Sequence, residues 1–224
     1  MTTPRPGEIA QRLGPYLAPG RLERMREVLT RRTRRLTAVL DRFYDPNNVA
    51  ACMRTADALG VQDVWVVRSD RTSPLGLREP SRAVSLDAAR WLTRIDCEPD
   101  DVVPRLGDHR LVVTALDGTD TLDAIPLDRP LAVVFGAERD GAADALIAAA
   151  EHRVALPMRG FSQSLNVSVA FGIVMSRLRE RLERERDDWV LGPDARAALL
   201  DGWVHRDVAH ADAILAELGR RVAG

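Results

Sequence analysis

The stretch Leu156–Pro157–Met158–Arg159–Gly160–Phe161–Ser162–Gln163–Ser164–Leu165–Asn166–Val167–Ser168–Val169–Ala170 joins two kinds of periodicity. Upstream, the apolar run Arg153–Leu156 reads as a buried strand that Pro157 breaks. Gly160 permits a tight backbone. Downstream, an apolar helix begins at Asn166 and continues to about Arg186, the longest in the chain. Between them stand Ser162, Gln163, Ser164 and Asn166. Small polar side chains in apolar surroundings are costly unless partnered. A ligand is one partner; a self-capped strand–loop–helix turn is the other.

The same unit recurs along the chain. Strands are expected at Leu36–Leu40, Asp63–Val67, Leu111–Ala115, Leu131–Phe135 and Arg153–Leu156. Helices are expected from Asp45–Pro46 to Gly60, around Ser85–Trp91 after a loop at Ser69–Pro80, and over Ala142–Ala150. Asp45 is an N-cap with proline at the first helical position, and Gly60 suits the residue past the helix end. Alternating strand and helix predicts an α/β fold built on a parallel sheet. Residues 8–30 read as one or two short helices, and further helices are expected near 194–203 and 206–221. The expected divisions are a basic helical N-terminal extension (1–35), a core (36–186) and a helical C-terminal extension (187–224).

Composition bounds the function. The 224 residues are 46% hydrophobic, enough for a sizeable core and unlike a disordered chain. No apolar run is long enough to span a bilayer, and the N-terminus has no apolar signal core, so a cytoplasmic protein is expected. Cys52 and Cys97 stand alone, and His109, His152, His205 and His210 have no ligand spacing. No metal site is therefore expected. Net charge is −1, but residues 1–42 carry ten arginines against four acidic residues. The chain contains no lysine, so part of that arginine content reflects composition rather than a site.

Two further segments carry chemistry. In Asn47–Asn48–Val49–Ala50–Ala51–Cys52–Met53–Arg54, Val49, Cys52, Met53 and Ala56 share one helical face. Arg54 points away from it, toward solvent or toward an anion. Asn48 lies in the first turn, where it caps the helix or helps to receive an anion. In Val133–Val134–Phe135–Gly136–Ala137–Glu138–Arg139–Asp140–Gly141, glycine follows an apolar strand, either in an ordinary strand-to-helix turn or where backbone approaches a ligand at the strand's carboxyl end.

Taken in this order and spacing, the three segments resemble the SPOUT superfamily of RNA methyltransferases, in its SpoU/TrmH 2′-O-ribose branch, over roughly residues 36–186. The resemblance implies a parallel sheet flanked by helices, with a deep trefoil knot over about 131–175. It implies S-adenosylmethionine (AdoMet) as methyl donor, held by Thr114, Ala115, Leu116, Gly136, Leu156, Met158, Ser164 and Leu165. It makes Arg54, Asn48, Glu138, Ser164 and Asn166 the catalytic residues. Arg54 is the proposed activator of the ribose 2′-hydroxyl. A guanidinium with a pKa above about 12 suits alkoxide stabilisation or phosphate binding better than proton abstraction. One departure is Asp87–Ala88 before Trp91, where the family has Gly–Ala. Trp91 itself is expected in the core.

The long helix has a stripe of Val167, Ala170, Phe171, Val174, Leu178 and Leu182. It is expected either as a solvated helix with pairs such as Arg179–Glu183 and Arg181–Glu185, or as a dimer-facing stripe. By resemblance the partner is a second copy bound through this helix, with Arg54 serving the other copy's cofactor. The short extensions resemble those of the tRNA-directed members, which methylate guanosine 18 of the D-loop. The expected RNA contacts are Arg24, Arg31, Arg32, Arg177, Arg181 and Arg184. The alternatives are ribosomal RNA or another tRNA position, and a non-catalytic RNA- or AdoMet-binding relative.

Overall fold

The computed structural model describes residues 5–68 and 89–223. In chain order these form α1 (Glu8–Leu13), α2 (Arg21–Leu29), β1 (Thr33–Asp41), α3 (Pro46–Ala58), β2 (Val61–Val67), β3 (Thr93–Cys97), α4 (Val102–Leu106), β4 (Arg110–Thr114), β5 (Leu131–Phe135), α5 (Asp144–Ala149), β6 (His152–Val154), α6 (Val167–Glu185), α7 (Pro193–Asp207) and α8 (Ala211–Ala223). The loop expected at Ser69–Pro80, most of the helix around Ser85–Trp91, and Asp87 lie outside the described residues. The chain divides into two compact units, Thr33–Trp189 and the described remainder of both ends.

The larger unit holds a six-stranded sheet in the order β3-β2-β1-β5-β4-β6, with every pair parallel. Alternation along the strands supplies two faces. Leu36, Ala38, Leu40, Val133 and Phe135 face α3 and α6 in one buried layer. Val39, Ala132, Val134, Leu111 and Val113 face the second, closed by Val102 and Leu106 of α4 and Leu146 of α5. A sheet buried on both faces explains the near-continuous apolar strands.

Two helices bring the motifs to this sheet. Helix α3 starts where expected: the Asp45 carboxylate accepts the Asn47 N–H at 2.8 Å. Gly60, at φ +71°, lies just past its end. The face of Val49, Cys52, Met53 and Ala56 is buried. Helix α6 corrects an expectation. Phe171, Val174, Leu178 and Leu182 are buried in this chain's own core, with the Phe171 and Phe135 rings 4.8 Å apart. That stripe therefore cannot be the dimer face. The exposed apolar residues of the segment are Leu165, Val169 and Ile173, four apart, at 38%, 49% and 40% exposure. The pairs Arg179–Glu183 and Arg181–Glu185 form, each at 2.9 Å.

Strand β3 escaped the sequence pattern. Arg94 and Asp96, bonded to each other, are exposed on an edge strand, so it lacks an apolar run. Trp91, expected in the core, is only half-buried, with the Arg90 guanidinium 4.7 Å over its ring.

The smaller unit gathers α1, α2, α7 and α8, so both ends of the chain contribute to one body. Asp201, nearly buried, accepts the Gly7 and Ala10 N–H groups, each at 2.7 Å. It thereby caps α1, whose own N-cap is a glycine. Arg21 pairs with Asp207 at 2.9 Å. Among the described residues, no helix is long and apolar enough to cross a membrane.

Candidate active site

The carboxyl ends of β4, β5 and β6 open onto a cavity of about 440 Å³. Ligands are expected there in open parallel sheets. All eight residues expected to hold the cofactor line it: Thr114, Ala115, Leu116, Gly136, Leu156, Met158, Ser164 and Leu165. Phe135, Arg139, Val154, Val167 and Ala170 also line it and were missed by motif spacing. Four of them stand inside the quoted segments, while Val154, at the end of β6, had no such signal.

Backbone shapes this cavity. Two hydrogen bonds between Ala137 and Gly141, at 3.0 and 2.9 Å, close the loop after β5 into a tight turn. Gly141 sits there at φ +68°. A Cβ on Gly136 would fall 2.1 Å from the Ala142 nitrogen and 2.2 Å from the Gly141 carbonyl carbon. The loop can fold back this tightly only over a glycine. After β4, Gly118 lies equally close to the chain leaving β6, where a Cβ would be 2.5 Å from the Val154 carbonyl carbon.

One hydrogen-bonded chain joins the three motif segments. Asn48 donates to Glu138 at 2.5 Å and accepts from Asn166 at 3.2 Å. Asn166 also caps α6, accepting the Ser168 N–H at 2.8 Å. Asn48 is 8% exposed, so its amide is held from both sides. Glu138 and Asn166 line the cavity, and Asn48 reaches it through them. Ser164 lies on the lining as expected. Below Asn48 on α3, the Cys52 thiol is pushed up to about 12 by burial, with Glu138 adding to the shift.

The polar run and two of the arginines are placed otherwise than expected. Ser162, Gln163, Ser164 and Asn166 are exposed, so no burial cost asks for a ligand to offset it. Arg54 is exposed, lines no part of this chain's cavity, and has no hydrogen-bond or ion-pair partner among the described residues. Two of the arginines assigned to RNA are not available to it. Arg32 is 1% exposed, packed over Trp203 at 5.4 Å. Arg181 is 8% exposed and donates to the Leu122 and Ile125 carbonyls while pairing with Glu185. Charge pattern alone does not reveal which arginines point inward. Arg24, Arg31, Arg177 and Arg184 are exposed, each ion-paired: the first two with Glu27, the others with Asp123 and Glu185. No cluster of metal-ligating side chains occurs among the described residues.

Comparison with known proteins identifies relatives. Residues 35–176 match the SpoU rRNA Methylase family. The chain is 32% identical over 193 residues to a tRNA (guanosine(18)-2′-O)-methyltransferase of Thermus thermophilus, covering 83% of this chain and 96% of that protein. It is 40% identical over 149 residues to the 23S rRNA (guanosine-2′-O-)-methyltransferase RlmB of Nitrosomonas europaea, spanning 62% of this chain but only 54% of that one. Among solved structures, the A. aeolicus TrmH/SpoU tRNA modifying enzyme superposes with a TM-score of 0.72 at 25% identity, over 84% of this chain and 97% of that one.

Proposed function

From the premise that the chain belongs to the SpoU rRNA methylase family, we propose that it transfers a methyl group from AdoMet to a ribose 2′-oxygen of tRNA, at guanosine 18 of the D-loop. One observation carries the reading. The Glu138–Asn48–Asn166 chain draws all three motif segments to the rim of the strand-end cavity. The tRNA assignment is supported by the Thermus relative, which this chain matches over nearly its whole length. The ribosomal alternative is supported by higher identity to RlmB, confined to about half of that protein.

The cavity suits the donor. Its volume falls in the usual range for a small-molecule site. Leu116, Leu156, Met158 and Leu165 offer apolar walls, and the Glu138 carboxylate offers a counter-charge. Bound there, AdoMet supplies an electrophilic methyl on a cationic sulfonium. The chain's own contribution is positioning and charge. Asn48 holds the Glu138 carboxylate and is itself held by Asn166. Arg54 would bind the substrate phosphate bidentately and stabilise the 2′-oxyanion as its proton leaves. Ser164 and Asn166 would help to hold the reacting ribose in line.

Arg54 needs a second copy of the chain to fulfil that role. We place it in trans, from one copy to the cavity of the other. Supporting this are its exposure, its lack of a partner among the described residues, and the exposed row Leu165, Val169 and Ile173 beside the cavity. The exposed arginines Arg24, Arg31, Arg177 and Arg184 would meet RNA phosphates by exchanging their carboxylate partners. The terminal unit would serve as the RNA-binding extension and the protein would act in the cytoplasm. The trefoil knot over about 131–175 is part of this proposal, supported by the close passage of Gly118 and Asp120 against the chain leaving β6.

The test incubates purified protein with unmodified tRNA transcript and AdoMet, then maps 2′-O-methyl groups by nuclease digestion and mass spectrometry. Product at guanosine 18 is expected. Product on ribosomal RNA alone keeps the chemistry and moves the substrate. No product on either, with AdoMet bound, overturns the catalytic reading.

A further inference from the structure

Asp41 closes β1 and is fully buried, although nothing in the three motifs includes it. Parallel register sets Leu40 opposite Phe135, so Asp41 stands beside the point where β5 gives way to Gly136. Its Oδ2 accepts the Ala143 N–H at 2.7 Å, and its Oδ1 receives the Arg42 Nε at 3.2 Å. Arg42 adopts φ +57°, a conformation rare for a residue with a side chain. Its backbone N–H donates to the Val67 carbonyl at 3.2 Å, and its Nη2 reaches the Gly141 carbonyl at 3.5 Å. Two residues on, the Tyr44 hydroxyl donates to the Asp140 carboxylate. The next helix then supplies Asn48 to Glu138.

The turn from Asp41 to Asn48 therefore grips one loop at four places: the Glu138 and Asp140 side chains, the Gly141 carbonyl and the Ala143 N–H. The loop's own bonds, between Ala137 and Gly141, fix its waist but not its far end. Asp41 holds that end. A buried carboxylate is an expensive tether, since its charge has lost solvent. It is also a strong one, because a charged acceptor roughly doubles the strength of an N–H···O bond. The loop so held supplies Gly136, Glu138 and Gly141 to the cavity wall.

We propose that Asp41, with Tyr44 beside it, is a positioning residue for methyl transfer, holding the loop after β5 in the geometry that binds AdoMet and presents Glu138. The proposal builds on the function assigned above, but AdoMet affinity tests it separately from turnover. Full-length wild type, Asp41→Ala, Asp41→Asn and Tyr44→Phe are compared by calorimetric titration with AdoMet, by kcat and KM for AdoMet, and by thermal melting. Each is assayed well below its melting temperature. Misplacement of reacting groups on the ångström scale costs up to about a hundredfold. Asp41→Ala should raise the AdoMet Kd and KM by about tenfold or more and lower kcat as well. Asp41→Asn keeps an oxygen acceptor for Ala143 and should restore affinity to within about threefold of wild type. Tyr44→Phe removes the hydroxyl that tethers Asp140 and should raise Kd by about threefold, and it serves if Asp41→Ala does not fold.

A folded Asp41→Ala with wild-type Kd and kcat overturns the proposal. So does Asp41→Asn as impaired as Asp41→Ala, or Tyr44→Phe with an unchanged Kd. A wild type that binds AdoMet but methylates no RNA overturns the assigned function, while the order of the Kd values still decides this proposal.

Discussion

Arg54 is an exposed cation with no counter-ion among the described residues, six positions beyond an asparagine locked into the site. Its removal should cost the chain little stability and the reaction a great deal. Arg54→Ala is expected to lower kcat by about a hundredfold or more, the scale of losing one oxyanion donor. The AdoMet Kd should stay within about twofold, because the role given to Arg54 is to hold the substrate phosphate and the 2′-oxyanion, not the cofactor. Methylation kinetics with calorimetry check this, and near-wild-type turnover would remove Arg54 from the mechanism. Asp41 yields a prediction in pH. Burial holds its carboxyl above the usual 3.8, against the opposing pull of the Ala143 N–H and Arg42. Between 3.8 and that raised value the folded chain binds more protons than the unfolded one, so this group makes stability fall as pH rises across the window. Asp41→Asn escapes that loss. Its melting temperature should gain on wild type as pH rises above 3.8 and level off once pH passes the raised value; a gap that moves the other way means the Arg42 pair outweighs burial. Gly136 and Glu138 were singled out by resemblance to the family, since a glycine after an apolar strand suits an ordinary strand-to-helix turn as well as a ligand site. Asp41 was not, since one carboxylate at a strand end looks like any surface aspartate until the strand's neighbours are known.

At the scale of elements, α6 and the residues leading into it carry two apolar rows with different surroundings. Phe171, Val174, Leu178 and Leu182 pack on the sheet, and Leu165, Val169 and Ile173 remain outside. Leu178→Ala should lower stability by about 2–5 kcal/mol, the usual cost of a core cavity, without changing oligomeric state. Ile173→Arg should do the reverse: shift the protein toward monomer in light scattering and keep the chain's own fold, because Ile173 is 40% exposed. If Ile173→Arg melts far below wild type yet keeps its mass, the dimer assignment of this face fails. Helix periodicity showed that α6 has an apolar side. It could not say which of two adjacent apolar rows faces the sheet, because Val169 and Ile173 lie only a fraction of a turn from Ala170 and Val174. The Asp45 cap and buried face of α3 were legible for the opposite reason: cap, proline and apolar spacing agree on a single solution. The polar run before α6 was misread because its surroundings in sequence are apolar while its surroundings in space are open.

At the scale of the whole molecule, the alternation of strand and helix foretold a parallel α/β sheet, but not that the two chain ends form one body. Asp201 reaching Gly7 and Ala10 is a contact across most of the sequence, and local periodicity in either end carries no sign of it. The cavity lies wholly within the sheet-bearing unit. AdoMet at a hundredfold above its Kd should therefore stabilise that unit by about 2.7 kcal/mol. The gain should appear as slowed amide hydrogen exchange within residues 33–189, and unchanged exchange there would place the AdoMet site elsewhere. The sheet's two covered faces have one more consequence. Cys52 lies in one layer and Cys97 in the other, and both are buried. A protonated, inaccessible thiol does not react with disulfide reagents, so each becomes modified only when its own layer opens. Two wild-type sulfurs thus act as separate clocks for breathing on opposite sides of the sheet, with the one on α3 timing the helix that carries Asn48 and Arg54.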